Sequence, residues 1–265
     1  MLTRFSPPLA LAWTALVTAG LWLALSIVFA LVGRSANDIV LLGLAQVGID
    51  ALVLTAFGFA SGTPAPELLA LRRAPLLLCL AAAALGAALQ IPASLLSNLI
   101  EHFFPTPPAV LAERIARLTP SSALNALAIL LVVAGLGPCV EEFFFRGALF
   151  GALRKGYGAL PTVAVVSICF SLAHVDARLF LPLLFAAAVL GYVREYTRSV
   201  WPGLALHAAF NATTLQLVFS GATPDGKTPD IPLYAAVTGC ALSVILLGVV
   251  RRLALSTPPS AQLPA

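Results

Sequence analysis

Apolar residues run along this chain in long unbroken blocks separated by short polar stretches, which is the pattern of helices surrounded by lipid or by one another. A bilayer core about 30 Å thick takes on the order of 20 apolar residues per spanning helix. Eight segments fit: Leu9 to Val32, Ile39 to Ala60, Leu76 to Ser97, Ala123 to Leu153, Pro161 to Phe180, Leu181 to Val193, Trp201 to Phe219 and Leu233 to Val250. The fourth is long, the sixth short, and the fifth and sixth are divided only near Pro182. The pattern predicts an all-α fold, a polytopic membrane helix bundle with about eight transmembrane helices. The first segment follows Arg4, but its apolar run is too long for a signal h-region and no small-residue cleavage site follows, so it is expected to stay as an anchor.

Composition agrees with the pattern. Hydrophobic residues make up 60% of the 265 and charged ones 10%, with a mean hydropathy of +0.99, which excludes an ordinary soluble globule. The net charge of +4 is small and scattered, and points away from nucleic acid. Its distribution says more. If the N-terminus is cytoplasmic, Arg4, Arg72, Arg73, Arg154, Lys155, Arg194, Arg198, Arg251 and Arg252 lie inside, against Arg34, Arg114, Arg117, Arg178 and Lys227 outside. The positive-inside rule then puts both termini in the cytoplasm; the Ala, Leu and Arg-rich usage points to a GC-rich bacterial genome, so the inner membrane of a bacterium is the expected location.

Between the blocks, Ser61 to Pro66, Pro105 to Pro108, Gly221 to Pro232 and Thr257 to Pro264 read as connections or tail. The stretch "AVLAERIARL" sets Val110, Leu111, Ile115 and Leu118 at helical spacing opposite Glu113, Arg114 and Arg117, which suits an interfacial helix or a short helix packed on the bundle. No internal repeat is visible, so the inverted-repeat signature of many transporters is missing. Cys79, Cys139, Cys169 and Cys240 all fall in apolar segments without a CxxC, and read as small buried hydrophobes.

Few strongly polar residues interrupt the apolar blocks: Gln46, Asp50, Glu141, Glu142, Arg146, His174, His207 and Asn211. Ionisable groups at membrane depth must be paired, hydrated or neutralised, which makes each a functional candidate. Residues i and i+4 share a helix face and i, i+1 do not, so Glu142 can pair with Arg146 while Glu141 points elsewhere, a desolvated carboxylate suited to general-base work. One salt-bridged network of all three, with no chemistry, is the alternative. At 1.5 Å per residue, Glu141 lies roughly 20 Å from Arg154, His174 roughly 20 Å from Pro161, and Asn211 at a similar distance from Arg198. Three helices thus bring polar groups to one depth, where they can share a cavity. His207 and Asn211 are an i, i+4 pair whose donors leave one face, as an oxyanion hole requires. Pro138, in "GLGP" just before Glu141, is expected to loosen the helix and free backbone groups.

Glu141, Glu142 and Arg146 in "EEFFFRG", Phe170 and His174 in "FSLAH", and His207 and Asn211 in "HAAFN" resemble, in order and spacing, the EExxxR, FxxxH and HxxxN motifs of the CAAX-protease and bacteriocin-processing family. These are the glutamate intramembrane proteases often labelled CPBP or Abi. "GYVREYTRSVWPGLALH", with Thr197, Ser199 and Trp201, is similar to the family's approach to the last motif. The resemblance spans roughly residues 125 to 215. It implies an intramembrane endopeptidase acting on a membrane-associated protein or peptide, with Glu141 and His174 activating a water and His207 and Asn211 steadying the oxyanion. Glu142, Arg146 and Phe170 would support the site, and no cofactor is implied. Residues 1–122 would form N-terminal helices and loops, 123–220 the catalytic core, and 221–265 a loop, the last span and a cytoplasmic tail.

Three other readings stay open. Glutamates and histidines can ligate zinc, although no HExxH is present. Gln46 and Asp50, an i, i+4 polar pair in the second segment, would suit a proton-coupled carrier. A non-catalytic immunity or interaction protein is the third. Rhomboid-type serine chemistry is disfavoured, because "GRSA" at Gly33 to Ala36 lies in a loop and lacks the second glycine of GxSG.

Overall fold

In the computed structural model, residues 6–32, 38–221 and 230–257 are described. Arg4, Arg34, Lys227, the Gly33 to Ala36 stretch and most of the C-terminal tail lie outside them. Each of the eight apolar segments is helical over most of its length. The longer helices are α1 (Pro7–Val32), α2 (Ile39–Ser61), α3 (Leu76–Phe103), α4 (Pro108–Leu118), α5 (Ala123–Arg154), α6 (Ala159–Ala173), α7 (Phe180–Thr197), α8 (Trp201–Phe219) and α9 (Leu233–Ser256), and a single helical turn, Ala65–Leu68, lies between α2 and α3. No strand occurs among the described residues.

Local chemistry sets the ends. Asp38 caps α2 by accepting from the amides of Val40 and Leu41, both at 3.1 Å, and Gly62, at φ 63°, closes it in the left-handed conformation. Ser122 caps α5 by accepting from the Asn125 amide. The α3 ladder is interrupted at Leu89, just ahead of Pro92, which has no amide to donate back to Ala88.

Four helical stretches are long and apolar enough to cross a membrane: Ile39–Phe59, Leu76–Phe103, Ala123–Arg154 and Leu233–Ser256. Eight such spans were expected. Of the others, Pro7–Gly20 and Ala159–Ala173 are shorter apolar helices, α7 carries Arg194 and Glu195 in its last turn, and α8 carries His207, Asn211 and Gln216 among its apolar residues. The boundary between the fifth and sixth segments also differs from the one expected at Pro182. The chain leaves α6 at Ala173, turns through Val175 at φ 53°, and is held by the Asp176 carboxylate, which accepts from the Arg178 amide at 3.0 Å. Pro182 falls in the first turn of α7, where its missing amide costs nothing.

The helices α5, α6 and α8 surround the polar residues. Under them, Phe144, Phe145, Phe150, Leu153, Val166 and Phe170 form a buried apolar floor. Helix α8 lies so close along α3 that a Cβ added at Gly86 would sit 2.1 Å from the Leu206 carbonyl oxygen, so only glycine fits there. Beside that crossing, Gln90 donates to the Phe210 carbonyl at 2.6 Å and to Thr214 Oγ1 at 2.7 Å. Helix α4 buries Leu111 and sets Arg114 in an ion pair with Asp176, tying it to the turn that follows His174.

Candidate active site

Two stretches of π-helix, 131–136 and 143–149, interrupt α5 on either side of the paired glutamates. Their i→i+5 turns are wider than α turns, change the aim of the side chains around them, and commonly mark functional sites. The loosening expected at Pro138 is thus present as two wide turns. In the first of them the Val133 carbonyl accepts from Asn211 Nδ2 of α8 at 2.8 Å.

Glu142 and Arg146 are both fully buried and paired at 3.0 Å, one helical turn apart, as their spacing predicts. The guanidinium also donates to the Ala187 carbonyl at 3.3 Å and lies over the Phe170 ring, 4.5 Å from its centre. A buried cation is tolerable only when paired and hydrogen-bonded in this way. Arg194 of α7 donates through Nε to the Arg146 backbone carbonyl at 2.8 Å, satisfying an acceptor inside the second wide stretch.

His207 is the point where α8 meets this pair. Its Nδ1 lies 3.0 Å from Glu142 Oε1, and its Nε2 lies 3.7 Å from Glu141 Oε2. A carboxylate accepts, so Nδ1 carries the proton and donates to Glu142, leaving Nε2 turned toward Glu141. The sequence placed His207 with Asn211 as paired donors. In the structure His207 is held on Glu142, and one amide hydrogen of Asn211 is taken by Val133.

His174 stands at the C-terminal end of α6, with Nδ1 2.9 Å from the Phe170 carbonyl. A carbonyl can only accept, so Nδ1 donates there and, in the neutral ring, Nε2 keeps its lone pair for a water or substrate proton. Phe170 is the common support: its ring centre is 4.8 Å from that of His174 and 5.8 Å from that of His207, with the Arg146 guanidinium over it.

Glu141 takes its hydrogen bond from outside these motifs. Gln46 of α2 donates through Nε2 to Glu141 Oε1 at 2.9 Å, and Asp50, one turn along α2, lines the same cavity. The i, i+4 spacing of Gln46 and Asp50 marked a polar face on α2. Which helix that face meets is a tertiary fact, with no local signal in the sequence.

One cavity of about 410 Å³ is lined by Glu141, His174, His207, Asn211, Gln46 and Asp50. Glu142 and Arg146 lie beneath its wall. Most of the remaining lining is apolar, with Thr14 and Thr18 of α1 among it, and Val17, Trp22 and Leu42 of α1 and α2 form part of it. Among the described residues no three His, Cys, Asp or Glu side chains are grouped as a metal-ligand set.

An all-helical membrane protein with two glutamates, two histidines and an asparagine meeting inside its bundle is the class that fold and site define. Residues 123–213 match the family model described as "Type II CAAX prenyl endopeptidase Rce1-like". The matched stretch holds Glu141, Glu142, Arg146, Phe170, His174, His207 and Asn211, and the match supports the CAAX-protease family, a family of proteases. No curated protein and no solved structure matches the chain.

Proposed function

We propose that this chain is an intramembrane endopeptidase that hydrolyses a peptide bond of a membrane-associated protein or peptide without a metal. The observation that carries the reading is the shared cavity: Glu141, His174, His207 and Asn211 come from three helices of the family-matched segment and line one space. In the proposed reaction a water sits between Glu141 and His174 Nε2. Its oxygen attacks the scissile carbonyl carbon while its proton passes to Glu141. The carbonyl oxygen becomes an oxyanion facing the remaining Asn211 amide hydrogen and, in the protonated ring, His207 Nε2–H. Collapse of the tetrahedral intermediate breaks the C–N bond, and the amine leaves with the proton held by Glu141. Glu142 and Arg146 act through His207 and take no proton in these steps.

The substrate fits a hydrophobic or lipid-linked segment, since the cavity wall beyond the polar cluster is mostly apolar. Peptide maturation and C-terminal sorting of surface proteins are the roles proposed, ahead of processing of prenylated proteins. The test is mass spectrometry of new protein termini in cells carrying the wild-type chain or Glu141→Gln at equal membrane abundance. Termini seen only with wild type are the expected result. Identical termini in both would sink the reading and favour a carrier or a non-catalytic interaction protein, and cleavage lost with a stoichiometric zinc on chelation would replace it with a metalloprotease.

A further inference from the structure

Gln46 and Asp50 lie on α2, outside residues 123–213, and no step of the proposed reaction uses them. We propose that Gln46 is a positioning residue that fixes the carboxylate of Glu141. The catalytic meaning of this assignment rests on the endopeptidase reading; the assignment itself does not.

Three observations meet at Glu141. Its Oε1 receives the Gln46 amide at 2.9 Å from α2. Its Oε2 lies 3.7 Å from His207 Nε2 on α8. Pinned at one oxygen, the carboxylate cannot spin about its Cγ–Cδ bond, so Oε2 stays turned into the cavity, where a water must be met. The third is that Asp50, 7% exposed and one turn along α2 from Gln46, lines the same cavity as Glu141, so the face of α2 that carries Gln46 is turned to the site.

The test separates positioning from helix joining. The full chain in detergent is treated with dicyclohexylcarbodiimide, an apolar reagent that couples to carboxyl groups in their protonated form, and labelling at Glu141 is read by mass spectrometry. Gln46→Leu and the closer-shaped Gln46→Met remove the donor that favours the carboxylate, and each is expected to raise Glu141 labelling about tenfold. Gln90→Leu removes a glutamine that joins helices away from the carboxylates, and is expected to leave labelling within about twofold. Labelling unchanged in a folded Gln46→Met chain, or raised equally by Gln90→Leu, would overturn the assignment. On the peptide found by the termini comparison, Gln46→Met should lower kcat about tenfold with KM within about twofold; a change confined to KM would also overturn it. If wild type yields no termini, the endopeptidase reading fails while the labelling ratio still decides the role of Gln46.

Discussion

Successive side chains on a helix point about 100° apart, and that angle sends two adjacent carboxylates to different surroundings. Glu142 is sealed between Arg146 and His207, while Glu141 faces the cavity with 14% of its side chain exposed. Substitution by glutamine should therefore divide the pair. Glu142→Gln leaves the Arg146 charge buried without a counterion and is expected to destabilise the chain by roughly 3–5 kcal/mol. Glu141→Gln should cost less than about 1 kcal/mol, because glutamine can still accept from Gln46. Thermal unfolding followed by circular dichroism in detergent measures both, and equal losses would contradict the division. The Glu142–Arg146 pair was legible in the sequence because both partners sit on one helix at a fixed spacing. The bond from His207 to Glu142, and that from Gln46 to Glu141, join residues far apart in the chain, and no periodicity encodes which face meets which.

Depth along a helix survives in a sequence better than direction around it. Counting residues from the charged ends placed Glu141, His174 and Asn211 near one level, and all three line the cavity. The same count missed the end of α6, because a single left-handed residue, Val175, and an aspartate-capped turn stop that helix where apolar content alone would carry it to Phe180. Contacts between helices are also sharply position-dependent. A Cβ added at Gly147, the residue after Arg146, would sit 2.9 Å from Leu69 Cα and 3.0 Å from the Leu68 carbonyl oxygen, whereas one added at Gly135 meets nothing within 4 Å. Gly147→Ala is expected to destabilise the fold by about 1–3 kcal/mol. Gly135→Ala should be neutral or stabilise by up to about 1 kcal/mol. The same unfolding measurement ranks them, and the reverse order would show that the close approach of α5 to the Leu68–Leu69 backbone does not hold.

Across the whole molecule the charges sort to opposite ends. Arg154 pairs with Glu195 at 2.9 Å, Lys155 with Glu67 at 3.4 Å, Arg251 lies over Tyr196, and the Arg72 carbonyl accepts from Ser199 Oγ, all at one end of the bundle. Arg114, Asp176 and Arg178 gather at the other. The end richer in arginine is expected to face the cytoplasm, with both termini on that side. Fusing the C-terminus to a fluorescent protein that matures only in the cytoplasm and, separately, to a phosphatase active only outside it decides the matter: fluorescence without phosphatase activity is the expected result, and the converse would invert the topology.

The cavity has two kinds of wall. Its polar groups come from α5, α6 and α8 within the matched segment, braced by α2, while Val17, Trp22 and Leu42 are among the apolar residues that the first two helices add to the lining. An exchange of one such apolar residue for another alters the outline of the space and touches none of the hydrogen bonds that hold Glu141, Glu142 or His207. Natural selection can therefore retune what the cavity admits one side chain at a time, and a lineage can change its diet while inheriting the same teeth.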